Sequence, residues 1–449
     1  MAAPAANSAS LLALAERNVP RYTSYPTAPH FSDAVGPQAY ASWLEELPAT
    51  MPLSLYLHVP LCSELCLYCG CTTKAVRRQA PIEAYAQRLK AEIRLLADRI
   101  GGRKVVTLHW GGGTPSILGA AELVDVFAAL TAAFDVAPDA EHAIELDPRR
   151  LPPEIVATLA ELGVTRASLG VQDFSLHVQE AIGRIQPFEQ VESAIEALRS
   201  AGIANINMDL MYGLPRQTIA DVIRTAELAA TLSPTRLAVF GYAHVPWFKS
   251  HQRLIDESCL PGVAERIEQM RAAAETLERR GYVRVGIDHF ASADDDLLRA
   301  AQSGRLHRNF QGYTTDQAQA LIGLGASAIG RLPQGYAQNA PDIGSYMRAI
   351  DARQFAVKKG VAFSPEDRVR ARIIERLMCD FTVDLDDCDA TDDFSGELSE
   401  VDQLRSAGIV VRDGRQIFVT REGRPLVRLV AAAFDSYLPK NQNRHSAAV

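Results

Sequence analysis

Four of the seven cysteines fall within ten residues, as Cys62-Ser-Glu-Leu-Cys66-Leu-Tyr-Cys69-Gly-Cys71. Thiolate is the ordinary ligand of iron–sulfur clusters, and three thiolates spaced three and then two residues apart on one short loop can wrap three corners of a cubane. A cube held at three corners keeps one iron open, and an open iron can chelate the amine and carboxylate of a bound ligand. Two plainer readings stand beside this one. A structural zinc site takes four ligands, usually as two separated pairs; no second pair is present, although His58 or Cys71 can complete a set. Free thiols that happen to cluster are the other. Cys259, Cys379 and Cys388 are scattered and read as structural or incidental thiols.

A second group of residues can hold a small polar ligand. Gly111-Gly112-Gly113-Thr114-Pro115 is neither of the common phosphate-loop patterns. It reads as a tight turn after a strand, or as a place where backbone approaches a zwitterionic ligand closely, which glycine permits. Glu145, Gln172, Arg184 and Asp209 carry donors and acceptors suited to an amino acid and a ribose, and a carboxylate accepting from ribose hydroxyls is familiar in nucleoside binding.

The elements that must position these residues alternate in type. Short β-rich runs at Leu53–Val59, Lys104–Trp110, His142–Leu146, Arg166–Val171, Asn205–Met211 and Arg236–Tyr242 are separated by amphipathic stretches such as Ile82–Ile100, Ala120–Phe134, Glu189–Ala201 and Ile219–Leu232. Alternation of this kind predicts a parallel sheet of βαβ units. Periodicity does not separate a full or partial (β/α) barrel from a doubly wound open sheet. Position leans towards the barrel, whose chemistry gathers at the C-terminal ends of several strands. The cysteine loop follows the first run, the glycines the second, Glu145 and Asp209 sit near the ends of the third and fifth, Gln172 follows the fourth, and Ala243-His244 the sixth.

The reading divides the chain into an N-terminal extension (1–50), a barrel (51–360) and a smaller, mostly helical C-terminal domain (361–449). In that last part helices at Ser364–Met378 and Leu398–Ala407 flank an acidic loop, Asp384–Asp393, and precede a hairpin, Ile409–Thr420, turning at Asp413-Gly414. The order is winged-helix-like, but the segment holds 12 basic against 16 acidic residues. A nucleic-acid reader shows a basic face, so no nucleic-acid partner is expected and the domain reads as a lid or docking unit. The tail from Pro439 reads as frayed.

The whole chain of 449 residues agrees, with 46 basic and 54 acidic residues giving a net charge of −8. That weighs against sequence-independent nucleic-acid binding, though an anionic small molecule can still meet a local arginine cluster. Hydrophobic residues at 47% and charged residues at 22% exclude a disordered or fibrous chain. No apolar run approaches the roughly 20 residues of a membrane helix. Met1–Asn18 has no basic leader region. A cytoplasmic, reducing setting is expected, where disulfides are rare.

These motifs bear a resemblance. C-x3-C-x2-C with Tyr68 before the third cysteine resembles the signature of the radical S-adenosylmethionine superfamily. More narrowly, the chain resembles the oxygen-independent coproporphyrinogen III oxidases from about Asn18 to about Leu438. The segments that carry this are Arg21–Thr27, the cysteine loop with its extra Cys71, His109–Ser116, Asn207–Pro215, Asp288–Ala291 and Leu306–Thr315. Ile287 departs from the Met usual in the family. The sister haem chaperones share the three cysteines and the barrel but usually lack Cys71, Arg21–Thr27 and His307–Thr315.

The resemblance implies a [4Fe–4S] cluster on Cys62, Cys66 and Cys69, with Cys71 off the cluster, and one or two molecules of S-adenosylmethionine. Tyr56, Gly112, Glu145 and Ile329 would line one molecule. Tyr68, Gly113, Thr114, Gln172, Arg184, Asp209 and Ala243 would line the other. Phe310 and Gln311 would lie near the second nucleotide or the porphyrinogen. The implied reaction is oxidative decarboxylation of two propionates of coproporphyrinogen III to vinyl groups, giving protoporphyrinogen IX. No protein acid or base is assigned, because the cofactor carries the radical. Arg21, Arg305 and Arg308 are candidates for the substrate carboxylates. An electron donor such as a flavodoxin or ferredoxin and a monomeric state are expected. Two alternatives stay open: a haem-binding chaperone, and a zinc-stabilised barrel enzyme without radical chemistry.

Overall fold

The computed structural model describes residues 8–388 and 393–438. The six β-rich runs form six parallel strands: β1 (Leu53–Val59), β2 (Lys104–Gly112), β3 (Asp135–Leu146), β4 (Arg166–Gln172), β5 (Asn205–Tyr212) and β6 (Arg236–Gly241). Each pairs with its predecessor in chain order. A doubly wound sheet reverses its order at a switch point. This order never reverses, so the strands follow the course of a barrel.

The barrel does not close. Beyond β6 lie the short antiparallel strands β7 (Val283–Val285) and β8 (His289–Ala291). On the far side of β1, β9 (Ala320–Leu324) adds in parallel, and β10 (Ile329–Leu332), β11 (Gly335–Asn339) and β12 (Val357–Ala362) add antiparallel. The result is a partial (β/α) barrel with an extension at each edge. β3 begins at Asp135 rather than His142, because Asp135 and Val136 continue the pairing with Lys104 and Val105. The polar, proline-containing sequence there conceals the strand.

Helices cover the outside: α1 (Gln79–Ile100), α2 (Ala120–Ala133), α3 (Pro153–Glu161), α4 (Phe188–Ser200), α5 (Ile219–Thr231) and α6 (Val263–Arg279). Ile82, Tyr85, Leu89, Ile93, Leu96 and Ile100 recur every three or four residues and are all buried, so α1 turns one apolar stripe to the sheet. On β1 the period is two. Leu53, Leu55, Leu57 and Val59 are wholly buried towards the helices, while Ser54, Tyr56 and His58 alternate with them and face the barrel interior.

After β12 come α7 (Pro365–Asp380), α8 (Ser395–Ser406) and α9 (Val427–Ala432), with a three-stranded sheet of Thr382–Asp384, Val410–Asp413 and Gln416–Val419. This is the winged-helix-like order read from the sequence. Gly414 takes a φ of 56° at the hairpin turn. Residues 389–392 of the acidic loop, the tail from Pro439 and residues 1–7 lie outside the described residues. One hydrophobic core runs from Ala15 to Phe434 and includes residues of all three sequence segments. Tyr22 donates to Asp435 at 3.0 Å and Tyr25 meets Ser436 at 2.9 Å, so the first segment is tied to the last across the barrel. Among the described residues no helix is long and apolar enough to cross a membrane.

One buried carboxylate fixes the join between α1 and the β9 edge. Glu92 accepts from the Gly325 N–H at 2.6 Å, Asn339 Nδ2 at 2.7 Å and Tyr346 OH at 2.8 Å. Burial pushes it up to about 7 against those three donors. Glu92→Leu strands all three donors away from water. We expect it to destabilise the protein by about 3 kcal/mol or more, read as a lowered urea midpoint with an unchanged slope.

Candidate active site

The C-terminal ends of the strands enclose a cavity of about 560 Å³. Cys62, Cys66, Cys69 and Cys71 line it from the loop after β1, and Gly112, Gly113 and Thr114 from the end of β2. Glu145, Gln172, Asp209 and Ala243 enter from β3 to β6 and the turns that follow, with Tyr68 and Arg184 beside the cysteines. The strand-end residues picked from sequence thus meet in one place.

The glycines are there for space. A β-carbon on Gly111 would lie 2.7 Å from Glu145 Oε1 and 2.9 Å from the Tyr56 hydroxyl. One on Gly112, whose φ is 113°, would lie 2.7 Å from His58 Nε2. One on Gly113 would run into the Leu61 carbonyl and sit 2.9 Å from Cys62 Sγ. The Gly113 and Thr114 N–H groups donate to the Val59 and Leu61 carbonyls at 2.9 and 2.8 Å, binding the turn to the start of the cysteine loop. The run is a turn after β2 at which backbone lies close to the chain's own Glu145, Tyr56, His58, Leu61 and Cys62.

The cysteine loop is held from several sides. Leu61–Cys62 pairs with Lys74–Ala75 as it returns. The Leu67 N–H donates to the Ile182 carbonyl at 3.0 Å. From the segment after β6, His251 Nε2 donates to the Cys69 carbonyl at 2.7 Å, Gln252 Nε2 to that of Tyr68 at 2.9 Å, and Lys249 Nζ to that of Cys71 at 2.9 Å. Arg184 Nη1 and Arg149 Nη2 lie 3.5 and 3.8 Å from Cys66 Sγ, and Thr114 Oγ1 lies 3.6 Å from Cys62 Sγ. Arg184 is fixed in turn by Asp147 at 3.1 Å and the Gly170 carbonyl at 2.5 Å, and Arg149 by Asp147 at 2.7 Å. Burial pushes the Cys62 thiol up to about 11. A hydrogen bond from Cys71, opposed by burial, pulls Cys69 down to about 6.

Polar residues alternate along the inner face. Glu145 accepts from the Gly112 N–H at 3.0 Å and faces His109 Nε2 at 3.3 Å. Burial opposes its charge, but these partners hold it below the usual carboxylate range. Asp209 accepts from Asn207 Nδ2 at 2.9 Å and Ser168 Oγ at 3.1 Å. Burial, and then the nearby Glu145, push Asp209 up to about 6. Gln172 holds a left-handed φ of 70° where β4 bulges against β5. That strained backbone, at the strand end, turns the side chain back over Gly170.

Other candidates lie elsewhere. Tyr56 stands behind the glycines, with its hydroxyl 3.3 Å from His58 Nδ1, and does not line the cavity. Phe310 and Gln311 line an adjoining cavity of about 510 Å³, together with Arg21 and Arg308. Ile329 lines a third, of about 570 Å³, with Phe310 and Arg308. Arg305 lines none of the three. It is exposed before the His307–Asn309 strand, where its Nε donates to Ser303 Oγ at 3.0 Å, and so is not brought to the site. His109, Ser168, Asn207, Asp147 and Arg149 were not singled out from sequence. The period-two polar pattern of Asn207-Met-Asp209 was the cue for one of them. Among the described residues no group of three or more His, Cys, Asp or Glu side chains is arranged around a single metal ion, and the zinc reading gains nothing from the geometry.

A barrel of this course with three loop cysteines at its rim defines the class, and residues 56–229 match the model of the Radical SAM superfamily. The oxygen-independent coproporphyrinogen III oxidase of Bradyrhizobium diazoefficiens is 50% identical over 440 residues, 97% of this chain and 98% of its own. That of Escherichia coli is 39% identical, covering 93% of each. The solved structure of Escherichia coli coproporphyrinogen III oxidase, described as a radical SAM enzyme, superposes with a TM-score of 0.89 at 37% identity, over 94% of this chain and all of the other. The chain belongs to the oxygen-independent coproporphyrinogen III oxidase family. These matches do not support the haem-chaperone alternative.

Steric need for the glycines predicts a contrast. Gly113→Ala should lower the iron retained after anaerobic reconstitution, because the new methyl displaces the Leu61 carbonyl and Cys62 at the start of the cysteine loop. Gly70, on the same loop, has open space at its β-carbon, and Gly70→Ala should retain iron as the parent does.

Proposed function

We propose that the protein performs the oxygen-independent conversion of coproporphyrinogen III to protoporphyrinogen IX, as a radical S-adenosylmethionine oxidoreductase of porphyrin biosynthesis. The observation that carries this is the single cavity onto which the three loop thiols, the glycine turn and the strand-end carboxylates all open.

The donor set suits a [4Fe–4S] cluster. Cys62, Cys66 and Cys69 offer three thiolates on one loop, and Arg149, Arg184 and Thr114 direct N–H and O–H groups at two of the sulfurs. An anionic cluster gains from such donors. When bound, the cluster and S-adenosylmethionine supply a carbon radical able to take hydrogen from an unactivated propionate carbon, which no side-chain base can deprotonate. The chain supplies position. Gly113 and Thr114 let backbone approach the methionyl group. Asp209, held by Asn207 and Ser168, accepts from the ribose hydroxyls. Arg184, clamped between Asp147 and Gly170, offers charge to the carboxylate, and Tyr68, Gln172 and Ala243 enclose the remainder. Glu145 and Gly112 belong to the same cavity. Tyr56 supports the glycine turn from behind. Ile329, expected with Tyr56, Gly112 and Glu145 around one molecule, lines the separate third cavity with Phe310. Closure against water and alignment of the reacting C–H are the protein's share of the catalysis. We assign the work to a cytoplasmic monomer reduced by a flavodoxin or ferredoxin.

The test is anaerobic turnover. With reductant and S-adenosylmethionine, the iron-loaded protein should form protoporphyrinogen IX, methionine and 5′-deoxyadenosine. Turnover without S-adenosylmethionine would overturn the reading. Cys62→Ser, Cys66→Ser and Cys69→Ser should each lose most of the iron, whereas Cys71→Ser should keep it.

Asp209 gives a pH signature. Binding draws on the ionised carboxylate, so the affinity for S-adenosylmethionine should fall as pH is lowered through about 6. Asp209→Ala should weaken binding by about 1–3 kcal/mol and flatten that pH dependence in equilibrium titration.

A further inference from the structure

One stretch of surface beside the cysteine loop is apolar and basic at once. Phe248, Leu254 and Trp247 are 74%, 73% and 65% exposed, the highest values for large hydrophobic side chains among the described residues. All three fall within the eight residues Trp247–Leu254. Exposed hydrophobics scattered singly are ordinary, but large ones gathered in one place mark a surface that meets a partner. They lie on the segment after β6, the same segment whose Lys249, His251 and Gln252 hold the cysteine loop by its carbonyls. Phe248 also lines the cysteine cavity.

The chain has 54 acidic against 46 basic residues, but here the balance reverses. Gly241–Ile255 contains no Asp or Glu and carries Lys249 and Arg253. The cysteine loop and its return, Leu65–Ile82, also contain neither and carry Lys74, Arg77 and Arg78. The two stretches meet where Lys249 Nζ donates to the Cys71 carbonyl at 2.9 Å. Lys74, Arg77, Arg78 and Arg253 are exposed, and none forms an ion pair among the described residues. Carboxylates at the margins are engaged. Glu64 meets Arg150 at 3.0 Å, Glu257 meets His244 at 3.0 Å, and Asp256 accepts from the Ser258 N–H at 3.0 Å.

An acidic partner is drawn to such a face at long range and oriented by it. The function proposed above needs an external electron. Electron transfer falls off steeply with distance, so a donor protein must seat its redox group close to the cysteine loop, and this face is built on that loop. Trp247 and Phe248 select among donors. A flavin at a protein surface presents a flat aromatic edge that exposed aromatic rings can meet by stacking or edge-on, and an iron–sulfur cluster inside a ferredoxin presents none. Basic and aromatic side chains together also suit an anionic lipid surface, where an amphipathic helix would carry them. The only helix in this segment is the five-residue 3-10 turn Ser250–Leu254.

We propose that the face made by Trp247, Phe248, Leu254 and Arg253 with the Lys74–Arg78 stretch docks a small acidic flavoprotein that passes one electron to the cluster on the cysteine loop. The flavin, as its two-electron-reduced anion, loses one electron and the cluster gains it; no proton moves and no bond changes. This rests on the function proposed above and adds to it where the electron enters and from what kind of protein.

The test uses the full chain and a bacterial flavodoxin. Binding is read by calorimetric titration, and reduction of the iron-loaded protein by reduced flavodoxin is followed anaerobically as bleaching of its visible absorbance. Arg77→Glu combined with Arg78→Glu, and Arg253→Glu alone, should each weaken binding and slow the bleaching by about ten-fold at low salt. The gap should narrow at high salt, which screens exposed charges. Leu254→Ser should weaken binding at both. Iron content and dithionite-driven turnover should match the parent in all of these variants. Unchanged binding in the charge-reversed variants overturns the proposal. So does a loss matched by lower iron content or slower dithionite-driven turnover, since that is what damage to the cysteine loop gives. A parent that binds a plant-type ferredoxin or phosphatidylglycerol vesicles in place of flavodoxin overturns the choice of partner. A parent that is reduced by flavodoxin in this salt-dependent way but forms no protoporphyrinogen IX with any reductant overturns the proposed function and leaves the docking face standing.

Discussion

Three successive positions at the end of β2 have no room for a β-carbon, and the site is built around that fact. Gly111 presses on Glu145 and Tyr56, Gly112 on His58, and Gly113 on Leu61 and Cys62. Side chains from β1 and β3 and the start of the cysteine loop occupy the places that β-carbons on β2 would take. Glu145 reaches the Gly112 N–H only across that gap. The cysteine loop leans on the same turn through two backbone hydrogen bonds. Even a methyl group would have to push apart the carboxylate, the imidazole or the thiol it met, and core packing at this density leaves little slack.

Around this turn, charge is managed locally. The chain is acidic overall, yet the two chambers at its rim are lined by arginines. In the inner one Asp147 is shared by Arg149 and Arg184, so those two of its arginines are neutralised in part and aimed at sulfur. The adjoining cavity also has arginines in its walls, among them Arg21, Arg266 and Arg308, beside Asp288. Net charge reports neither, because Coulomb interactions in part-buried sites are decided within a few ångströms.

Much of the sheet was legible, and for a definite reason. β1 reads as a strand because Leu53, Leu55, Leu57 and Val59 alternate with residues that face the barrel, and α1 as a helix because its apolar residues recur every three or four. Strand ends then carry most of the polar cavity, so Glu145, Gln172 and Asp209 could be chosen by position alone. What was illegible depends on partners far away in sequence. The extension of β3 back to Asp135 follows from pairing with Lys104, not from its own pattern. Arg305 and Arg308 are nearly adjacent in sequence, yet one is exposed and the other is sealed against Tyr313. Arg266 and Arg428 sit on helices whose sequences show ordinary surface-like arginines, and only tertiary packing turns them inwards. Tyr56 and Ile329, taken from family resemblance, lie outside the main cavity for reasons no local pattern carries.

The hydrogen bond between Tyr22 and Asp435 joins segments at opposite ends of the described chain. It also sets an order of construction. Everything that touches the cysteine loop, from Cys62 to Gln252, has been synthesised and can pack before the last third of the chain emerges. The adjoining cavity is not complete at that stage, since Arg428 arrives near the end, although the segment bearing Arg21 already has the Gly241 carbonyl to hold it. The C-terminal residues that line the adjoining cavity, Pro425 and Arg428, are thus the last of its walls to be synthesised.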